Sequence, residues 1–139
     1  MNHVVITIFC IVIAIYDLKT LRIPDAFIII FSIAMILTER NILNYINVSH
    51  FAALTLSFLL FGSLWCYTQG IGFGDVKFAS ILGFFLGMEN IVYAFFITAC
   101  TGILIYLIGV LILQLPKNTK IPYAPFLSAG ALFAIGSVT

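Results

Sequence analysis

The sequence predicts an all-α fold, a polytopic membrane helix bundle of about six transmembrane helices. Three observations point there. Of the 139 residues, 63% are apolar and only 8% are charged, against roughly 25% charged in an ordinary soluble domain. A small soluble domain leaves much of its surface in water and cannot hide that much apolar area. Lipid is the solvent that suits this composition. Apolar runs recur along the whole chain, separated by short polar breaks, and the charges gather in those breaks. The length fits one integral membrane domain over residues 1–139. The net charge of +1 gives no reason to expect nucleic acid as a partner.

The first run, Val4 to Tyr16, has the length of a signal-peptide core. Met1-Asn2-His3 carries no basic residue, however, and no small-x-small cleavage site follows, so the expectation is a retained first span. Further runs cover Ala26 to Leu37, Phe51 to Tyr67, Val76 to Met88, Ile91 to Leu115 and Pro122 to Val138. A spanning helix needs about 20 residues. The third, fifth and sixth runs reach that range, while the first, second and fourth extend through flanking polar residues or sit in a thinned bilayer. Gly83 and Gly87, four apart, allow close helix approach and would hold span four against span one. Trp65 and Tyr67 suit a membrane interface. Cys10, Cys66 and Cys100 lie inside apolar runs and form no C-x-x-C pair, which predicts small buried hydrophobes and no zinc site.

Orientation follows from the basic residues, which concentrate in cytoplasmic loops. Odd-numbered loops hold Lys19, Arg22, Lys77, Lys117 and Lys120, whereas even-numbered loops hold only Arg40. The odd loops are therefore expected in the cytoplasm, with both chain ends on the outer face. His3 and His50 fall on that outer face, where a solvated role is expected.

Asp17 ends span one and Asp75 opens span four, so loop counting places both at the same, cytoplasmic membrane face. Acids at membrane depth are costly and point to function by default. Two close carboxylates cannot both ionise easily and tend to share one proton. The ionised partner can then take a proton from water while the protonated one donates to an amide carbonyl. The plainer alternative makes Asp75 a helix cap, its carboxylate on free amides of span four. Gly70, Gly72 and Gly74 tilt the balance, because alternating glycines permit unusual dihedrals and close backbone approach to a substrate. The loop is not a Walker A sequence or a dinucleotide fingerprint, since neither spacing is present. Asp25 follows Pro24 and precedes an apolar run, which suits a cap of span two; attraction of a basic substrate segment is the lesser alternative.

Gly72-Phe73-Gly74-Asp75-Val76-Lys77 resembles the G-x-G-D-x-K motif of the type IV prepilin peptidases, or type IV leader peptidases, which are GxGD-type membrane aspartic proteases. Asp17, followed by Ile23-Pro24, is similar to that family's first aspartate and its I-P pair. The segment Ile121-Pro122-Tyr123-Ala124-Pro125-Phe126-Leu127 resembles the family's I-P-F-G-P-F-L. The three matches stand in family order from the first span to the last. The resemblance implies that Asp17 and Asp75 are the catalytic pair, that Gly72 and Gly74 shape the loop holding Asp75, and that Lys77, Pro24 and Pro125 support it. It implies endoproteolysis of prepilin or pseudopilin proteins at the cytoplasmic face of a prokaryotic cell membrane. The cut falls after a short basic leader, beside an apolar helix, with no metal or organic cofactor.

The chain departs from the family pattern in several places. Asp25 stands where many members have asparagine, Ala124 where they have glycine, and Tyr123 where they have phenylalanine. Longer members carry a loop with paired C-x-x-C motifs near the first span and also N-methylate the new terminus; the 139 residues here include no such loop. That implies a peptidase without methyltransferase activity. A transporter using membrane acids as an ion path is a different class of reading. It would place acids at mid-span, which this sequence does not. A presenilin-like protease would need P-A-L where Ala124-Pro125-Phe126-Leu127 stands.

Overall fold

The computed structural model describes residues 3–20, 23–38, 46–68, 71–111 and 123–136. Among them are five helices and no strand: α1 (His3–Thr20), α2 (Asp25–Thr38), α3 (Val48–Thr68), α4 (Phe73–Leu111) and α5 (Ala124–Gly136). Helices satisfy their interior backbone groups within the segment, which is what a lipid environment demands. Three of them, α1, α3 and α4, are long and apolar enough to cross a membrane, and α2 and α5 are shorter apolar helices. The chain is thus a multi-pass membrane helix bundle, as its composition predicts.

α4 is not one straight rod. Gly87, at φ 76° and ψ 173°, interrupts its helical dihedrals. Phe51 of α3 meets Phe84 at 5.5 Å, and Trp65 meets Phe73 at 5.4 Å, so the first arm runs antiparallel to α3. Phe61 of α3 then meets Phe95 at 5.3 Å. Beyond Gly87 the chain has therefore turned back along α3. The fourth and fifth predicted spans are the two arms of this hairpin. The reversal falls at Gly87, two residues ahead of the expected break at Glu89-Asn90, because a positive φ costs glycine no Cβ clash.

Polar side chains serve the turn. His50 Nδ1–H donates to the Phe84 carbonyl at 2.7 Å, and Asn90 Nδ2 donates to the Leu86 carbonyl at 3.0 Å. Carbonyls in the last turn of a helix lack their usual partners, and these two find side chains. A carbonyl only accepts, so the His50 proton is on Nδ1. His50 is thus buried, which corrects the expectation of a solvated histidine. Gly83 is also reassigned: a Cβ there would sit 2.8 Å from the Ala53 carbonyl of α3, so its close approach is to α3 and not to α1. Of the cysteines, Cys10 is buried as expected, but Cys66 and Cys100 are exposed on the outer surface.

The first arm of α4 is the centre of the bundle, with Asp75, Val76, Phe78, Ala79, Ser80, Leu82, Phe85 and Leu86 all buried. Phe31 of α2 joins the layers, packing on Phe9 of α1 at 5.2 Å and on Phe85 at 5.7 Å. α5 closes the bundle against α1 and α4. On α1 the buried positions are Ile6, Cys10, Ile13 and Asp17, a stripe at steps of four, three and four that defines one helix face. Ile8, Ile15, Ile29, Leu59 and Phe96 form part of an exposed apolar outer surface suited to lipid.

Candidate active site

The site lies where the C-terminal end of α1 meets the N-terminal ends of α4 and α5. Asp17 lies in the last turn of α1, at the end of its buried stripe. It is 3% exposed. A carboxylate so placed needs a partner, and α5 supplies one: Ala124 N–H donates to Asp17 Oδ2 at 3.2 Å. The sequence of α5 explains the choice. Pro125 has no N–H, and the Phe126 and Leu127 N–H groups both donate to the Tyr123 carbonyl at 3.1 Å. Ala124 is left as the first-turn donor for an outside acceptor.

Asp75 is 7% exposed and sits in the first turn of α4. Its backbone N–H donates to the Gly72 carbonyl at 3.0 Å, and Gly72 N–H donates to Asp75 Oδ2 at 3.1 Å. This is half of a capping box, an acid at the third helical position reaching back to the residue before the helix. Capping therefore uses one carboxylate oxygen. The other, Oδ1, is buried and has no hydrogen-bond partner among the described residues. Capping alone does not account for it. The Asp17 and Asp75 carboxylates are near enough for the charge on one to act on the other.

The segments around both acids are fastened together. A Cβ at residue 74 would lie 3.1 Å from both the Cβ and the carbonyl oxygen of Ile23, so Gly74 lets the α1–α2 link press directly on the start of α4. Lys77 Nζ donates to Asp25 Oδ1 at 2.8 Å, a second tie between the same segments. The Phe27 N–H donates to the Pro24 carbonyl at 3.1 Å and opens α2 beside them. At Gly72 an added Cβ would meet Asp75 Oδ2 at 3.4 Å, an ordinary contact.

Of the residues singled out in the sequence, Asp17, Pro24, Gly72, Gly74, Asp75, Lys77 and Pro125 thus belong to three adjoining segments. Sequence reasoning missed the Asp25–Lys77 pair, having read Asp25 as a cap. It also missed Ala124 as the donor to Asp17. No spacing rule links residues 52 or 107 positions apart. Arg22, Arg40, Lys117 and Lys120, which enter the orientation argument, lie outside the described residues.

A family model described as the type IV leader peptidase family matches residues 4–108. The chain belongs to that family. The match takes in Asp17, the Ile23-Pro24 pair and the glycine loop with Asp75, and it ends before Ala124. The chain is also similar to the prepilin leader peptidase/N-methyltransferase of Bacillus subtilis (strain 168), at 30% identity over 128 residues. That similarity covers 89% of this chain and 50% of the relative, so the chain spans about half the length of the curated relative it matches. No solved structure matches. Family membership agrees with the resemblance carried by the sequence motifs.

Proposed function

We propose that this protein is a membrane aspartic endopeptidase that removes the short basic leader from prepilin or pseudopilin proteins, with Asp17 and Asp75 as its catalytic residues. One observation carries the reading. The three motif segments, far apart in sequence, adjoin around two buried carboxylates, each with one oxygen accepting a single backbone N–H. Membership of the leader peptidase family supports the same activity.

The chemistry is that of two carboxyls sharing one proton. The ionised carboxylate takes a proton from water as the hydroxyl oxygen bonds to the scissile carbonyl carbon. The protonated carboxyl donates to the carbonyl oxygen. The tetrahedral intermediate collapses when the carbon–nitrogen bond breaks and the leaving amine gains a proton. No charge is left on the intermediate's oxygen, which suits a site near the lipid boundary. The backbone donors Ala124 and Gly72 hold the two side chains during these transfers.

The reading extends to setting and partners. Basic residues on the odd-numbered loops favour a cytoplasmic site in a prokaryotic cell membrane, with both termini outside. The substrate presents an apolar helix to the bilayer and a basic leader to that face. The α1–α2 link runs from residue 21 to residue 24 and has no room for a cysteine-bearing loop. This short link is what supports peptidase activity without N-methylation.

The test is coexpression with a prepilin and analysis of processing by gel and mass spectrometry. Asp17→Asn and Asp75→Asn are each expected to abolish cleavage while the protein still accumulates in the membrane. Full processing by either single variant removes the two-aspartate assignment.

A further inference from the structure

We infer that Asp25 and Lys77 form a latch that sets the position of Asp75 relative to Asp17, making both of them positioning residues for the reaction proposed above, on which this inference rests. Four observations carry it. The Lys77–Asp25 ion pair is short, at 2.8 Å, and joins the first turn of α2 to the first turns of α4. Lys77 is held from a second side, its ammonium 5.1 Å from the centre of the Phe73 ring. Phe73 in turn packs on Trp65 of α3. The cation is thus fixed between an acid of one helix and an aromatic anchored on another, and its own helix carries Asp75 in the first turn.

The fourth observation concerns the other end of the link. Asp25 follows Ile23-Pro24, and Ile23 presses on Gly74, the residue before Asp75. The link continues back to α1, whose last turn holds Asp17. Two ties, Ile23 on Gly74 and Asp25 on Lys77, therefore fasten the strand of chain leaving Asp17 to the turn that presents Asp75. With only the first tie the link could pivot about Gly74, which has no side chain to resist rotation. The second tie, on the next turn of α4, removes that freedom.

An exposed ion pair adds little to stability. Here Lys77 is 36% exposed and Asp25 is 64% exposed, so neither charge is buried at great cost and neither is needed to hold the bundle together. The consequence is geometric. Two carboxyls that must pass protons through one water depend on their separation, and an ångström of misplacement lowers the rate steeply. Asp25 stands where the family resemblance leads one to expect asparagine, so in this chain the link meets the motif lysine with a charge.

The experiment uses the full chain in detergent or native membrane, with a purified prepilin whose basic leader ends in glycine before an apolar helix. Asp25→Asn and Lys77→Gln are each expected to lower kcat about 10- to 100-fold with KM within about twofold, the signature of a misplaced catalytic group. Lys77→Arg should retain activity. The charge exchange Asp25→Lys with Lys77→Asp should recover most of what either single variant loses. Single variants with wild-type kcat, or an exchange that recovers nothing, overturn the latch. So does a rise in KM that scales with the number of basic leader residues, which would make Asp25 a substrate contact. A second measurement needs no turnover. In a chain with its three native cysteines replaced by alanine, Asp17→Cys with Asp75→Cys is treated with a short thiol cross-linker. Cross-linking should fall when Asp25→Asn is added, and an unchanged yield overturns the proposal. If the wild type cleaves no prepilin, the peptidase reading fails by itself and the cross-linking comparison still decides the latch.

Discussion

Ala124 N–H donates to Asp17 Oδ2 at 3.2 Å, across 107 positions of chain. The bond joins the last turn of the first helix to the first turn of the last, and it explains why a motif near residue 124 accompanies an aspartate near the start. An acid on the buried stripe of α1 requires a donor, and the proline-containing start of α5 leaves one N–H to give. The same junction holds the glycine turn and its Asp75, so the functional reading depends on three helix ends meeting at one level of the bundle.

A shared proton makes the pair work only between its two apparent ionisations. Cleavage should therefore show a bell-shaped pH dependence of kcat/KM. At low pH both carboxyls are protonated and none can take a proton from water. At high pH both are ionised and none can donate to the carbonyl oxygen. Initial rates of prepilin processing across a buffer series check this. A profile with one limb only would mean that a single carboxyl carries the chemistry.

The two glycines of the turn should respond differently to alanine. At residue 74 a Cβ would stand 3.1 Å from the Ile23 backbone oxygen, and backbone gives way poorly. Gly74→Ala is expected to cost about 1–3 kcal/mol through overpacking and to slow cleavage about 100-fold by moving the link. At residue 72 the added carbon meets a side-chain oxygen at 3.4 Å, so Gly72→Ala should keep activity within about tenfold, well short of an ångström-scale displacement. Cleavage rates and thermal midpoints in detergent separate the two.

The hairpin at Gly87 belongs to stability and not to chemistry. Alanine at φ 76° would be strained by roughly 1–2 kcal/mol. His50→Ala would leave the Phe84 carbonyl without its 2.7 Å donor, a loss of about 1–3 kcal/mol for a buried acceptor. Both variants should unfold at lower temperature. The folded fraction should still cleave at the wild-type rate, because Gly87 lies ~18 Å along the helix from Asp75 at 1.5 Å per residue. Thermal unfolding and active-fraction-normalised rates test this, and a lowered specific rate would tie the hairpin to the site.

Much of this was legible in the residues. Scarcity of charge made Asp17 and Asp75 conspicuous, and loop counting brought them to one end because spans alternate in direction. The glycine motif was legible as a motif, but its role was not: neither Gly72 nor Gly74 has the unusual dihedral expected of it, and Gly72 N–H instead donates to the Asp75 carboxylate. Asp25 does open α2, as a residue just after proline at a helix start should, but its pairing with Lys77 was not legible because that partner lies on another helix. His50 was misread because hydropathy cannot tell a solvated histidine from one serving a helix end. The spacing of Gly83 and Gly87 allowed close approach but did not say to which helix, and α3 is the neighbour.

The sequence by itself determined the solvent, the helical class and the family, and made two acids conspicuous, because composition, periodicity and short motifs are local properties of a chain. Only the tertiary structure decided which donor each acid uses and which residues tie the segments together. It also decided that Asp17 continues the buried stripe of Ile6, Cys10 and Ile13 on α1 and so points inward. Those are matters of which helix faces which, set by packing between elements far apart in sequence. The physical reason is the same in each case: a buried carboxylate, a freed carbonyl or an ammonium ion must find its partner in space, and that partner is chosen by the packed bundle.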